Sequence, residues 1–273
     1  MAGDLIPEGG GTVTLDAATT PVAAEPRRKR LYSKRFIVMY VLLGLAIAAA
    51  AAGIVVALGS TIHPKAAWSS WRPSGGGIGA TRQIAAHVAP TYHLPNGKQL
   101  VDVIAKAPSV SPGSQTIPVH YLAVRGTKGQ GDQITDVSSS NSVMFALCGL
   151  GPSCSIATGT ASVARGRLVR REILELALYT FKYVGGIQNV IAFMPPRPGS
   201  QPQYVVYLRK SDLAPELDQP LARTLAPKTP LPDTIRAREV RLVDATTDSR
   251  VYTFSLSQAQ QGDAILVLAP IPA

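Results

Sequence analysis

Residues Phe36 to Gly59, FIVMYVLLGLAIAAAAAGIVVALG, run for 24 residues without a charged side chain. As a helix rising about 1.5 Å per residue the stretch is about 36 Å long, enough to cross a hydrocarbon core of roughly 30 Å with some tilt. Immediately before it, RRKRLYSKR from Arg27 to Arg35 places six cations in nine residues. Cationic flanks are retained on the cytoplasmic side. The expectation is therefore a single transmembrane helix over 36–59 in the cell membrane, with the N-terminus cytoplasmic and everything after the span outside. A cleaved signal peptide is the competing reading, but its apolar core would run for only about 7–15 residues, closely followed by a cleavage site. Gly44, Ala48 and Ala52, and likewise Ala49, Gly53 and Ala57, recur at every fourth position. That spacing lets helices approach closely, although an alanine-rich span chosen for hydropathy explains it more simply.

Topology decides how the only two cysteines, Cys148 and Cys154 in MFALCGLGPSCSIATG, are read. Outside the cytoplasm thiols meet oxidants, so a disulfide is expected. The intervening GLGPS can make the sharp reversal that brings two Cα atoms within about 7 Å. A zinc site would need closer cysteine spacing and two more ligands, and a redox catalyst would need C-x-x-C. No metal and no cofactor are expected.

The rest of the chain falls into segments. Residues 1–35 read as a disordered cytoplasmic tail with a basic end, because MAGDLIPEGGGTVTLDAATTPVAAEP has no apolar period. Residues 60–80 read as a Gly/Pro/Ser/Trp linker, in which Trp68 and Trp71 either anchor at the outer headgroup level, the reading their proximity to the span favours, or dock on the domain. Residues 81–273 are long enough for one core. TRQIAAHVA (81–89) reads as a short helix, and QLVDVIAK (99–106) and TIPVHYLAVRG (116–126) read as strands. GTKGQGD (126–132) is a flexible turn, and SVMFALCG (142–149) a central strand ending at the cysteines.

From Ser162, a candidate N-cap, to the stop at Gly185 and Gly186 runs the main helix. Its face of Val169, Ile173, Leu176, Ala177 and Thr180, widened by Leu174, Leu178 and Phe181, suits packing on a sheet. IQNVIAFMPP and QYVVYLRK read as strands, SDLAPELDQPLARTL as a proline-broken helical piece, and APKTPLPD as an extended connection. VYTFSLSQ and AILVLAP around AQQGD form a hairpin. The expected fold is α+β: a mixed or antiparallel sheet with one main packed helix, extracytoplasmic, behind the span and the tail. LALYTFKYVGGIQNVIAFMPP, Leu176 to Pro196, resembles the helix–turn–strand of the germination-and-sporulation module of some bacterial envelope lipoproteins. The likeness is confined to those residues and carries no site or activity with it.

Charge narrows the function. The net charge is +10. The densest cluster, Arg165, Arg167, Arg170 and Arg171, opens the main helix, where cations oppose the macrodipole. It reads either as the solvated face of an amphipathic helix or as an anion-binding patch for wall glycans or lipid headgroups. Nucleic acid is not an expected partner, since no helix-turn-helix, RNP aromatic strand or zinc finger is present. Catalysis has little support: His63, His87, His93 and His120 show no metal spacing, and no nucleophile elbow or phosphate loop occurs. Glu172 and Glu175, the carboxylate pair a wall hydrolase would need, read as surface salt partners. Arginine exceeds lysine and Ala, Gly, Pro and Val are plentiful, as GC-rich bacterial coding produces. The expected function is a non-enzymatic binding or assembly module in a bacterial cell envelope, with a protein partner.

Overall fold

The computed structural model describes residues 33–61, 67–110, 116–126, 133–258 and 263–271. The expected tail up to residue 32, His63, the turn over 127–132 and the loop over 259–262 lie outside the described residues. The chain divides into two units, Met1–Lys65 and Ala66–Ala273. In the first, α1 (Ser33–Thr61) contains a window, Lys34–Val55, of mean hydropathy 2.4 with none of it buried. It is the one described helix long and apolar enough to cross a membrane.

The second unit is α+β around one mixed sheet of nine strands. In chain order these are β1 (Asp102–Lys106), β2 (Ser109–Val110), β3 (Ile117–Arg125), β4 (Ile134–Ser138), β5 (Ser142–Cys148), β6 (Asn189–Phe193), β7 (Tyr204–Arg209), β8 (Val251–Gln258) and β9 (Ala264–Pro270). They lie in the order β1-β5-β6-β7-β8-β9-β3-β2, with β4 paired to β3. β5 runs parallel to β6, with Val143 opposite Val190, and β3 parallel to β9; the other pairs are antiparallel.

Strand side chains alternate between faces, and here both faces of the central strands are covered. Val143, Phe145 and Leu147 of β5, Val190 and Ala192 of β6, and Val206 and Leu208 of β7 enter one core with the helices. Met144, Ile191, Val205 and Tyr207 enter a second core with Leu122, Leu266 and Leu268 from the far strands. The sheet curls to make that second core: the backbone N–H of Ser109 in β2 donates to Met144 Sδ at 3.2 Å, although β2 and β5 are far apart in the strand order. Burial on both faces is why these strands read as continuous apolar runs.

Several helices, not one, cover the first face. They are α2 (Gly77–Val88), α3 (Val163–Tyr183), the one-turn α4 (Ala214–Leu217) and α5 (Leu221–Thr224), and α6 (Ala237–Thr247). α2 and α6 both pack on α3. α3 starts where Ser162 Oγ accepts from the Arg165 backbone N–H at 3.1 Å, an N-cap bond that satisfies one orphan donor. It is followed by Gly186 at φ +81°, which a side chain would strain. α2 begins earlier than the sequence indicated, inside the expected linker, and α6 was not anticipated.

Candidate functional site

Cys148 ends β5 and Cys154 ends the 3-10 turn Pro152–Cys154. Their sulfurs lie 2.06 Å apart, bonding distance, with Cα atoms 4.2 Å apart. The corner is tight. A Cβ on Gly149 would come within 2.6 Å of the Ser155 carbonyl oxygen. Leu150, Ser153 and Cys154 all hold positive φ, a conformation that penalises non-glycine residues. The Ile156 N–H then donates to Pro196 O at 3.1 Å, tying the corner to the loop after β6. Reduction of this pair should lower unfolding stability by about 2 kcal/mol, as expected for so short a closed loop. Denaturant midpoints of the full chain with and without reductant measure it, and equal midpoints would remove any stabilising role.

The four arginines do not act together. Arg167 Nε donates to both carboxylate oxygens of Asp244 at 3.0 Å. Arg170 reaches Asp244 Oδ1 at 2.8 Å and Thr247 Oγ1 at 3.1 Å and pairs with Asp248. Hydrogen bonding from Arg167, with the charge of both arginines, holds the Asp244 carboxyl below its usual range. Arg171 is fully buried. Its Nε donates to Glu239 Oε1 at 2.6 Å, Nη1 to Glu175 Oε2 at 3.2 Å and to the Tyr92 hydroxyl, and Nη2 to Ala226 O at 2.9 Å. The Tyr92 hydroxyl donates in turn to Glu175 Oε2 at 2.6 Å. Burial first, then the Glu175 charge, pushes the Tyr92 phenol well above its ordinary value. Neither a solvated arginine face nor an open four-arginine patch forms, because α6 and Glu175 bring carboxylates to three of the four. Arg165 has no carboxylate partner among the described residues.

Glu172 departs furthest from its expected place on the surface. It is fully buried, and neither carboxyl oxygen has a hydrogen-bond partner among the described residues. Burial first, then the Glu175 charge, raises its pKa well above 4.5. Glu172 therefore does not stand beside Glu175 as an exposed carboxylate pair.

Beside the Arg171 network opens a cleft of about 1320 Å³. Trp68, His87 and Tyr179 line one side, Pro227 and Pro230 another, and Glu175 and Glu239 also reach it. Trp68 packs edge-on against Tyr179 and Tyr183, each at 5.6 Å, and Trp71 stacks on His87 at 3.9 Å. The Leu221 N–H donates to Trp68 O at 2.8 Å. Both tryptophans therefore dock on the folded unit instead of standing as headgroup anchors, since aromatic partners supply an apolar surface there. Burial, opposed by Glu175, lowers the His87 pKa and favours neutral imidazole. The cleft thus pairs an aromatic wall with two carboxylates that are already bound to Arg171. Among the described residues, no group of three or more His, Cys, Asp or Glu side chains is placed to hold a metal ion. Comparison with protein-family models, with curated proteins and with solved structures finds no match.

Proposed function

We propose that the chain is a single-pass membrane protein, N-terminus cytoplasmic, whose α+β unit is a non-enzymatic binding and assembly module outside the cytoplasm of a bacterial cell. One observation carries the reading. The Lys34–Val55 stretch of α1 has mean hydropathy 2.4 with none of it buried, a length and composition that support a membrane span. The cations at 27–35 support the orientation. Cysteines at bonding distance in the second unit support an oxidising compartment. The aromatic cleft supports binding, and the Arg171 pairing of Glu175 and Glu239 argues against either serving as a free catalytic base.

Alkaline carbonate extraction of bacterial membranes carrying the full chain tests the anchor, with retention in the pellet expected. After mild reduction, a membrane-impermeant maleimide should label Cys148 and Cys154 in intact cells. Release to the supernatant would overturn the anchor. Labelling only after lysis would overturn the orientation.

Binding of anionic polymers or headgroups is a second reading, favoured only at Arg165, the one member of the cluster without a carboxylate.

A further inference from the structure

Arg165 is 5% exposed. Its Nη1 donates to Thr158 O, and no other side-chain hydrogen bond or ion pair engages it among the described residues. A guanidinium offers five N–H donors, and a buried charge is normally paired. Arg165 lines a second pocket of about 460 Å³, together with Ser162, Arg197, Ser200, Gln201 and Gln203. The lining contains two arginines and no carboxylate. Ser200, Gln201 and Gln203 make no side-chain hydrogen bond among the described residues, which leaves neutral donors facing the same space.

We propose that this pocket binds a phosphate monoester, with Arg165 and Arg197 as the residues that meet its charge. Two cations match a phosphate monoester of charge about −2, whereas a carboxylate would leave one of them unmatched. Guanidinium forks fit phosphate oxygens in pairs. The first turn of α3 adds to the case, because Ser162 and Arg165 place the positive end of a 21-residue helix at the same pocket.

The surroundings are built to hold Arg165 in place. Gly159, at φ +72°, lies so close that a Cβ there would come within 3.3 Å of Arg165 Nη1. The opposite wall is braced from the cysteine corner, since the Ile156 N–H donates to Pro196 O next to Arg197. Burial lowers the Arg165 pKa, a penalty that a bound anion would relieve. The site is separate from the aromatic cleft, and its binding chemistry does not depend on which side of a membrane the unit lies.

Isothermal titration of the full chain in neutral detergent tests the site. The probes are inorganic phosphate, glycerol 3-phosphate, a short-chain phosphatidic acid and, as the monovalent control, acetate. Saturable binding of phosphate and of at least one ester is expected, with acetate at least tenfold weaker. Arg197→Met, at an exposed position, should weaken binding at least tenfold without unfolding the unit. Arg165→Met should do the same or worse, and Lys228→Met, which lines the aromatic cleft and not this pocket, should leave it unchanged. Tighter binding of glycerol 3-phosphate would identify a soluble ester as the ligand, and tighter binding of phosphatidic acid a lipid headgroup. No saturable phosphate binding, equal binding of acetate, or indifference to Arg197→Met would each overturn the proposal.

Discussion

Replacing Arg171 with alanine should lower the stability of the second unit by about 3–5 kcal/mol, the usual penalty for breaking a buried ion pair from one side. Arg171 is the shared cation of Glu239 at 2.6 Å and Glu175 at 3.2 Å. Its loss leaves Glu239, itself buried, with the Ala226 N–H at 3.2 Å as its one remaining hydrogen bond among the described residues. The size of the effect comes from the charge left behind and not from the attraction removed. It follows that Arg171→Met combined with Glu239→Met should recover most of the loss, because a packed apolar pair replaces a desolvated ionic one. Urea unfolding of the full chain in detergent, followed by tryptophan fluorescence, is the measurement; Trp68 and Trp71 both belong to this unit. A loss under about 1 kcal/mol, typical of exposed pairs, would mean that water reaches the network.

Glu172→Leu should have the opposite sign and stabilise the unit on the order of 3 kcal/mol at neutral pH. A buried polar group without partners costs about 1–3 kcal/mol even when neutral, and here both oxygens lack partners among the described residues. The pH dependence follows from linkage. The folded-state pKa lies above the ordinary 4.5, so between those values the folded chain holds a proton that the unfolded chain has released. The favourable contribution is complete below pH 4.5 and is lost as pH rises through the elevated value. Stability should therefore fall with pH in that window by at most about 1.4 kcal/mol per unit. Glu172→Gln, which cannot titrate, should flatten that slope. An unchanged slope would assign it to another group, and a destabilised Glu172→Leu would mean that the carboxyl has a partner the burial argument overlooks.

Much of the fold was legible because it depends on neighbours in the chain. α3 showed its cap at Ser162, its apolar face and its glycine stop, all readable at helical spacing. The continuous apolar runs of β5, β6 and β7 and the hairpin of β8 and β9 were equally plain. β4 was not, since four of its five residues are exposed and show no alternation. α6 was hidden for a related reason. Two of its three buried residues, Glu239 and Thr247, are polar and only Val243 is apolar, and Asp244 and Glu239 hold it to α3 through arginines 68 to 77 positions away.

The candidate sites divide along the same line. By itself the sequence determined that an apolar helix with a cationic flank precedes an α+β unit, and that two cysteines flank a reversal short enough to join them. Composition and local spacing suffice for each of those. Tertiary structure alone decided that Arg167, Arg170 and Arg171 would be paired, that Arg165 would be buried without a carboxylate partner among the described residues, that Glu172 would lie inside, and that Trp68 and Trp71 would dock on Tyr179 and Tyr183. The physical reason is that a charge or an aromatic ring takes its role from whatever reaches it within a few ångströms. For these side chains the decisive neighbours come from distant parts of the chain, where no local period points to them.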